Sequence, residues 1–196
     1  MTKLDLASER KFQIMRATIE CISRYGYSNF SMQDVARVAD VSKGIIHYYF
    51  LNKEDLMMAV LNHVSGEIEH LLAGSESIAD PVRRLSNIIW ICSGVVQSKR
   101  EYYRINMDFW TQIDQKETVR LEVATHYSQF RQAIAATISQ GIQSGVFRKG
   151  DALHFASLII AMIDGIALQW LFDEGLFVYD DIVKLCEESV MAFLKA

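Results

Sequence analysis

The sequence predicts an all-α fold of about nine helices. Apolar residues recur at steps of three and four along most of the chain, and no stretch alternates with the two-residue period of a strand. Pro81 is the only proline in 196 residues. That scarcity suits long helices, because an interior proline costs on the order of 3 kcal/mol. Glycine, serine and aspartate punctuate the periodic stretches where helix ends need them.

Phe12, Met15, Ile19 and Ile22 place an amphipathic helix over about residues 10–25, and Gly26 ends it in the left-handed cap position that favours glycine. Ser31, with Asp34 three residues on, has the form of a capping box that opens a second helix. This helix is short, because a turn at Ala39-Asp40 precedes Val41-Ser42, where Ser42 caps a third helix running to about Tyr48. Leu56, Val60, Val64, Ile68 and Leu71 line one face of a fourth helix from about Lys53 to Leu72, which Gly74-Ser75-Glu76-Ser77 breaks. Asp80-Pro81 restarts the chain as an N-cap with proline at the first helical position. Helices follow at about 81–97, 100–113 and 116–144, the last carrying Val123, Tyr127, Phe130, Ile134 and Ile138. Gly145 and Gly150 bracket a loop, and helices at about 151–174 and 179–195 close the chain.

Composition narrows the functional classes. At 51% hydrophobic and 22% charged residues the chain has the balance of a globular protein. Cys21, Cys92 and Cys186 are far apart and odd in number, which argues against a disulfide framework and fits a reducing, cytoplasmic setting. Met1 to Arg10 is polar and carries Asp5 and Glu9, unlike a secretory signal. Between Ala152 and Phe172 the longest unbroken apolar run is Leu158 to Ile163, with His154, Asp164 and Gln169 interrupting the rest, so the stretch reads as a buried or partner-facing helix with no role in a membrane. The net charge is −4, but it is unevenly spread: residues 1–55 balance at +1 and the remainder at −5. The N-terminal quarter therefore tolerates a polyanionic partner.

Three short helices with a tight turn between the second and third make a helix-turn-helix, whose third helix fits the DNA major groove. Val35, Ala36, Val41 and Ile46 supply its apolar inner face, and Lys43, Gly44, His47 and Tyr48 its outer one. Gly44 lowers helix stability, so close approach of the backbone to DNA explains it better than accident. Ser31 and Gln33 are placed to bond phosphate through side chains and helix-end amides, and Lys53 to add one phosphate contact. The bland readings are a capped helix with a solvated lysine, a surface histidine, and core packing for Tyr49 and Phe50.

The stretch Val35-Ala-Arg-Val-Ala-Asp-Val-Ser-Lys-Gly-Ile-Ile-His-Tyr-Tyr-Phe50, followed by Lys53-Glu-Asp-Leu56, resembles the TetR family of bacterial repressors. Ile14-Met15-x-Ala17 through Gly26-Tyr27 resembles the family's first helix, so the likeness spans about residues 10–60. Within it, Gly44-Ile-Ile-x-x-Tyr-Phe50 is similar to BetI-type, choline-responsive members. Two positions depart from the pattern. Asp40 stands where glycine is usual in the turn, and aspartate tolerates the left-handed region better than most residues. His47 stands where tyrosine is frequent, which bears on operator choice and leaves the fold alone. The resemblance implies a dimeric repressor that binds a near-palindromic operator on double-stranded DNA and is released by a small-molecule inducer. It divides the chain into a DNA-binding domain, 1–52, and a ligand-binding and dimerisation domain, 53–196. The last two helices would pair with their copies, with Phe155, Ile159, Ile163, Trp170, Ile182, Leu185, Val190 and Phe193 offering the apolar surface.

Trp90, Tyr103, Trp110, Tyr127 and Trp170, with Asp108 inside an apolar stretch, are candidates to line a pocket for an aromatic or cationic molecule. Phe109 and Asp164 belong to the same aromatic and acidic material. Plain core packing is the ordinary fate of such residues. His63, His70, His126 and His154 show no ligand spacing, so neither metal nor cofactor is expected. A helical enzyme or a protein-binding module with a vestigial reading head remains the alternative; no nucleophile–base pair or phosphate loop supports the first.

Overall fold

The computed structural model describes residues 3–196, with side chains from Leu6 onward. Nine α-helices run in order through these residues: α1 (Lys3–Tyr25), α2 (Met32–Val38), α3 (Lys43–Tyr49), α4 (Lys53–Ala73), α5 (Pro81–Ser98), α6 (Arg100–Trp110), α7 (Glu117–Gln143), α8 (Ala152–Phe172) and α9 (Tyr179–Leu194). A 3₁₀ turn at Gly74–Ser77 separates α4 from α5, and the Arg84 guanidinium holds it by donating to the carbonyls of Glu76 (2.9 Å) and Ile78 (2.7 Å). The all-α class holds among the described residues. The one departure in extent is α1, which begins well before residue 10.

The chain packs as two compact units, residues up to 67 together with 99–123, and residues 68–98 together with 124–196. The divisions between these units fall inside α4, between α5 and α6, and inside α7. The cause is one shared core: Leu56, Met57, Val60 and Val64 of α4, Ile105 and Phe109 of α6, and Val119 of α7 are buried with Ile14, Ile22, Val35 and Ile46.

In the first unit α1 packs on α2 and α6. Its inward face is Ile14, Ala17, Cys21 and Ile22, while Phe12, expected inside, stays partly exposed and meets the edge of the His63 ring at 5.1 Å. In the second unit α5, α8 and α9 pack on one another. The Tyr179 hydroxyl donates to the Ser93 carbonyl at 3.1 Å, and the Glu187 carboxylate accepts from Trp90 Nε1 at 2.7 Å and from the Ser86 hydroxyl.

Helix α8 is long and apolar enough to cross a membrane by length and composition. Here Ala156, Ile159, Ile160, Ile163 and Ala167 form its buried side. This corrects the surface expected for pairing: Ile159, Ile163 and Val190 are buried within one chain, and Phe155 lies edge-on to Phe193 at 5.4 Å. The large apolar side chains left outside on α8 and α9 include Leu158, Leu185 and Phe193.

Candidate nucleic-acid interface

The reading unit is built from caps and one turn. Ser31 opens α2 by accepting from the Asp34 amide (3.2 Å), and the Asp34 carboxylate accepts in return from the Ser31 amide (2.9 Å) and hydroxyl (2.7 Å). These hydrogen bonds, the hydroxyl's first, hold the Asp34 carboxyl below its ordinary pKa. Ser42 opens α3 by accepting from the Ile45 amide at 3.3 Å.

Between them Asp40 sits at φ 51°, in the left-handed region. The Asp40 amide donates to Arg37 O (3.3 Å) and the Val41 amide to Ala36 O (3.0 Å), the paired bonds of a Schellman cap. Aspartate thus does glycine's work in this turn. The Gln13 side chain, reaching from α1, donates to the Ala39 carbonyl at 2.6 Å and pins the same turn.

These contacts fix the phase of α3. Ile46 is fully buried, while Ser42, Lys43, Gly44, His47 and Tyr48 are exposed. The structure therefore gathers five of the eight expected DNA-facing residues on one outward surface. Gln33, on the first turn of α2, is also exposed. A Cβ placed on Gly44 would meet Ser42 Oγ at 3.7 Å and nothing closer, so packing inside the protein does not require glycine here. Ile45, beside Ile46, and Leu51, beyond the end of α3, are exposed as well. Only the phase of α3 separates the two isoleucines, and Leu51 had no periodic signal at all.

Lys53, expected at a phosphate, has partners within the chain. Its ammonium donates to the carbonyls of Phe30 (2.7 Å) and Ser28 (3.3 Å) and lies 3.9 Å from the centre of the Phe30 ring. Burial, and to a lesser extent Lys116, holds its pKa below the usual lysine range. The side chain fastens the start of α4 to the loop that precedes α2. Accordingly, Lys53→Met should lower stability by about 1 kcal/mol. The salt slope of DNA binding should stay unchanged, because no phosphate charge pair is lost. A slope reduced by about one per chain would instead place the ammonium on a phosphate.

The six candidate ligand residues fall into both units. Tyr103, Asp108 and Trp110 belong to the first, and Trp90, Tyr127 and Trp170 to the second. Tyr103 faces Trp110 at 6.1 Å, Trp170 packs on Tyr179 at 5.1 Å, and the Tyr127 hydroxyl donates to Asp164 at 2.8 Å. Asp108 lines a cavity of about 330 Å³ with Ile22, Ser23, Gly26, Glu101, Arg104, Ile105 and Met107. Burial raises its pKa, against the opposing pull of Arg104 and of the Tyr27 backbone amide. The second unit holds a cleft of about 550 Å³ that none of the six lines. Its walls include Glu69, Leu72, Glu76, Arg84, Ile88, Gln129, Phe130, Ala133 and Thr137. Among the described residues, no group of three His, Cys, Asp or Glu side chains is placed to hold a metal ion.

Comparison with known proteins places this geometry. Residues 14–60 match the profile of the bacterial regulatory proteins of the tetR family, and residues 81–195 that of the BetI-type transcriptional repressor C-terminal region. The HTH-type transcriptional regulator BetI of Rhizobium meliloti (strain 1021) is 25% identical over 197 residues, covering 100% of this chain and 95% of its own. The fatty acid metabolism regulator protein of Bacillus subtilis (strain 168) is 24% identical, covering 93% and 92%. A transcriptional regulator from Saccharomonospora viridis, solved in complex with choline, superposes with a TM-score of 0.86 at 26% identity, covering 96% of this chain and 99% of its own.

Proposed function

Because this chain belongs to the TetR family of bacterial regulatory proteins and carries a BetI-type C-terminal region, we propose that it represses transcription from a near-palindromic operator until a small molecule releases it. The observation that carries the reading is the outward face of α3, where Lys43, Gly44, His47 and Tyr48 stand exposed over a buried Ile46. That face presents an ammonium, an imidazole and a phenol ring around a bare glycine, on a single helix of the size a major groove admits. Ser42 and Gln33 flank it as phosphate contacts, and Ser31 shapes the start of α2 through its cap. The chemistry is recognition without catalysis, in the cytoplasm and away from membranes.

The inducer we assign is a small organic cation. The Saccharomonospora viridis relative is solved in complex with choline, and the cleft of the second unit is lined by Glu69, Glu76 and Phe130, residue types that suit a cation, with Arg84 as the one cationic side chain in its wall among the described residues. Ligand then acts by favouring a chain geometry that fits the operator less well.

The functional form is a homodimer through α8 and α9, with Leu158, Leu185 and Phe193 covered by the partner copy. A two-fold dimer sets the two reading helices about one DNA turn apart, roughly 34–36 Å. Leu158→Glu with Leu185→Glu should turn the dimer into monomer in light scattering and weaken operator binding. A double variant that stays dimeric would place the interface elsewhere.

The test of the whole reading is fluorescence anisotropy with DNA from upstream of the chain's own gene, across a salt series. Tight binding that weakens with salt, is lost in a Lys43→Ala, His47→Ala variant and is reversed by choline or a related cation supports it. Binding that ignores both substitutions, here and on DNA selected from random sequence, would overturn it.

A further inference from the structure

A reading helix with few of the side chains that pair with base edges has to recognise bases partly by other means. Between Lys43 and Tyr49 there is no Arg, Asn, Gln, Ser, Thr, Asp or Glu. Those are the side chains that pair with guanine, adenine or cytosine edges in the major groove; Lys43 alone belongs to the usual guanine readers.

What the surface offers in their place is apolar. Ile45 is 38% exposed, Tyr48 82% and Leu51 83%. Ile45 and Tyr48 are three residues apart and so neighbours on one side of α3. Leu51 follows directly after the Phe50 cap and is held in place: its amide donates to Asp55 Oδ2 at 2.9 Å, and Asn52 Oδ1 accepts from the Asp55 amide at 2.9 Å. Single exposed apolar residues need no explanation. Three of them on and just beyond a seven-residue reading helix do; the Tyr48 ring meets that of Tyr49 edge-on at 5.0 Å, but a β-branched isoleucine at a solvent position weakens a helix, so folding does not account for Ile45.

The one apolar group that DNA presents in its major groove is the thymine C5-methyl. We propose that Ile45, Tyr48 and Leu51 form an apolar patch that packs against thymine methyl groups in each operator half-site, so that this protein selects its operator largely by thymine methyls. The inference rests on the operator-binding reading above and adds what the reading helix recognises. Lys43 and His47 supply the polar contacts beside the patch, and the buried Ile46 fixes its orientation.

The experiment starts from an operator selected out of random-sequence DNA by the full chain. Anisotropy then compares that operator with the same duplex in which deoxyuridine replaces every thymidine, a change that removes only methyl groups. Each buried methyl contributes about 0.8 kcal/mol, or about fourfold in affinity, so two symmetric half-sites should lose more than tenfold. In an Ile45→Ala, Leu51→Ala variant the thymine operator should bind more weakly, and the thymine-to-uracil ratio should fall toward one. Both positions are exposed, and circular dichroism melting confirms that the variant is folded. Specific binding with equal affinity for both duplexes would overturn the inference while leaving operator binding intact. A thymine-to-uracil ratio unchanged in the variant would overturn it too, by placing the methyl contacts elsewhere. If selection enriches no sequence, the operator-binding reading falls and this inference with it.

Discussion

Gly44→Leu should leave the protein folded, with a melting temperature at or above that of the wild type, and remove most of its operator affinity. The two effects separate because they come from opposite sides of the same residue. Inside the protein, a Cβ at this position meets nothing closer than Ser42 Oγ at 3.7 Å, and Gly44 lies in α3 with a φ that side chains accept. Leucine is a better helix former than glycine by up to about 0.8 kcal/mol in a helix interior, and somewhat less in this first turn. Outside, the new side chain fills the space through which the backbone approaches the groove and lifts Lys43 and His47 from their contacts. A lost base contact costs about 1–3 kcal/mol in each half-site, so a symmetric dimer should lose about thirtyfold or more. Thermal melting and anisotropy on the same preparations decide the matter. Unchanged affinity would mean that Gly44 faces away from DNA, whereas a fall in both quantities would mean that the substitution distorts α3 itself.

The reading helix was legible in the sequence because its signals are local. Ser31 with Asp34, the turn at Asp40 and the cap at Ser42 act within six residues of themselves, and each appears in the structure where the sequence places it. Even the departure at Asp40 resolves locally, through a positive φ that aspartate tolerates.

What was not legible depends on partners far along the chain. Lys53 reads the same whether it meets a phosphate or the carbonyls of Ser28 and Phe30, and only the path of the loop before α2 decides. Asp108 was an acid in an apolar stretch, and the structure sets it against the Tyr27 amide, 81 residues earlier in sequence. The face of α8 was hidden for another reason. A helix with so few polar residues carries only a weak periodic mark of its inner side, so Ile159 and Ile163 looked as available as Leu158, though they are buried and it is not. The aromatic candidates shared this limit: Trp90, Tyr127 and Trp170 each found a hydrogen bond or ring partner that their spacing did not announce.

The same distinction between local propensity and distant packing sets the outcome of Gly141→Ala. Gly141 lies near the end of α7, where alanine alone would add up to about 1 kcal/mol of helix stability. Yet a Cβ there would stand 2.0 Å from Cδ2 and 2.5 Å from Cε2 of Phe147, a ring that is itself buried. The ring cannot move aside freely, because its backbone is tied on two sides. The Phe147 amide donates to Gly141 O at 3.0 Å, and the Arg148 amide donates to Leu194 O at 2.8 Å, joining the loop after α7 to the end of α9. Relieving the clash requires a shift of more than 1 Å in one of these contacts, and overpacking of that kind costs about 1–3 kcal/mol. Packing therefore outweighs propensity, and the variant should be less stable by about 1–2 kcal/mol in denaturant melts. Gly94→Ala is the matched control. It too lies within a helix, and its added Cβ meets nothing within 4 Å. That variant should gain about 0.5–1 kcal/mol. If both substitutions stabilise, the Phe147 ring is free to leave Gly141, and the junction between α7 and α9 is looser than its hydrogen bonds imply.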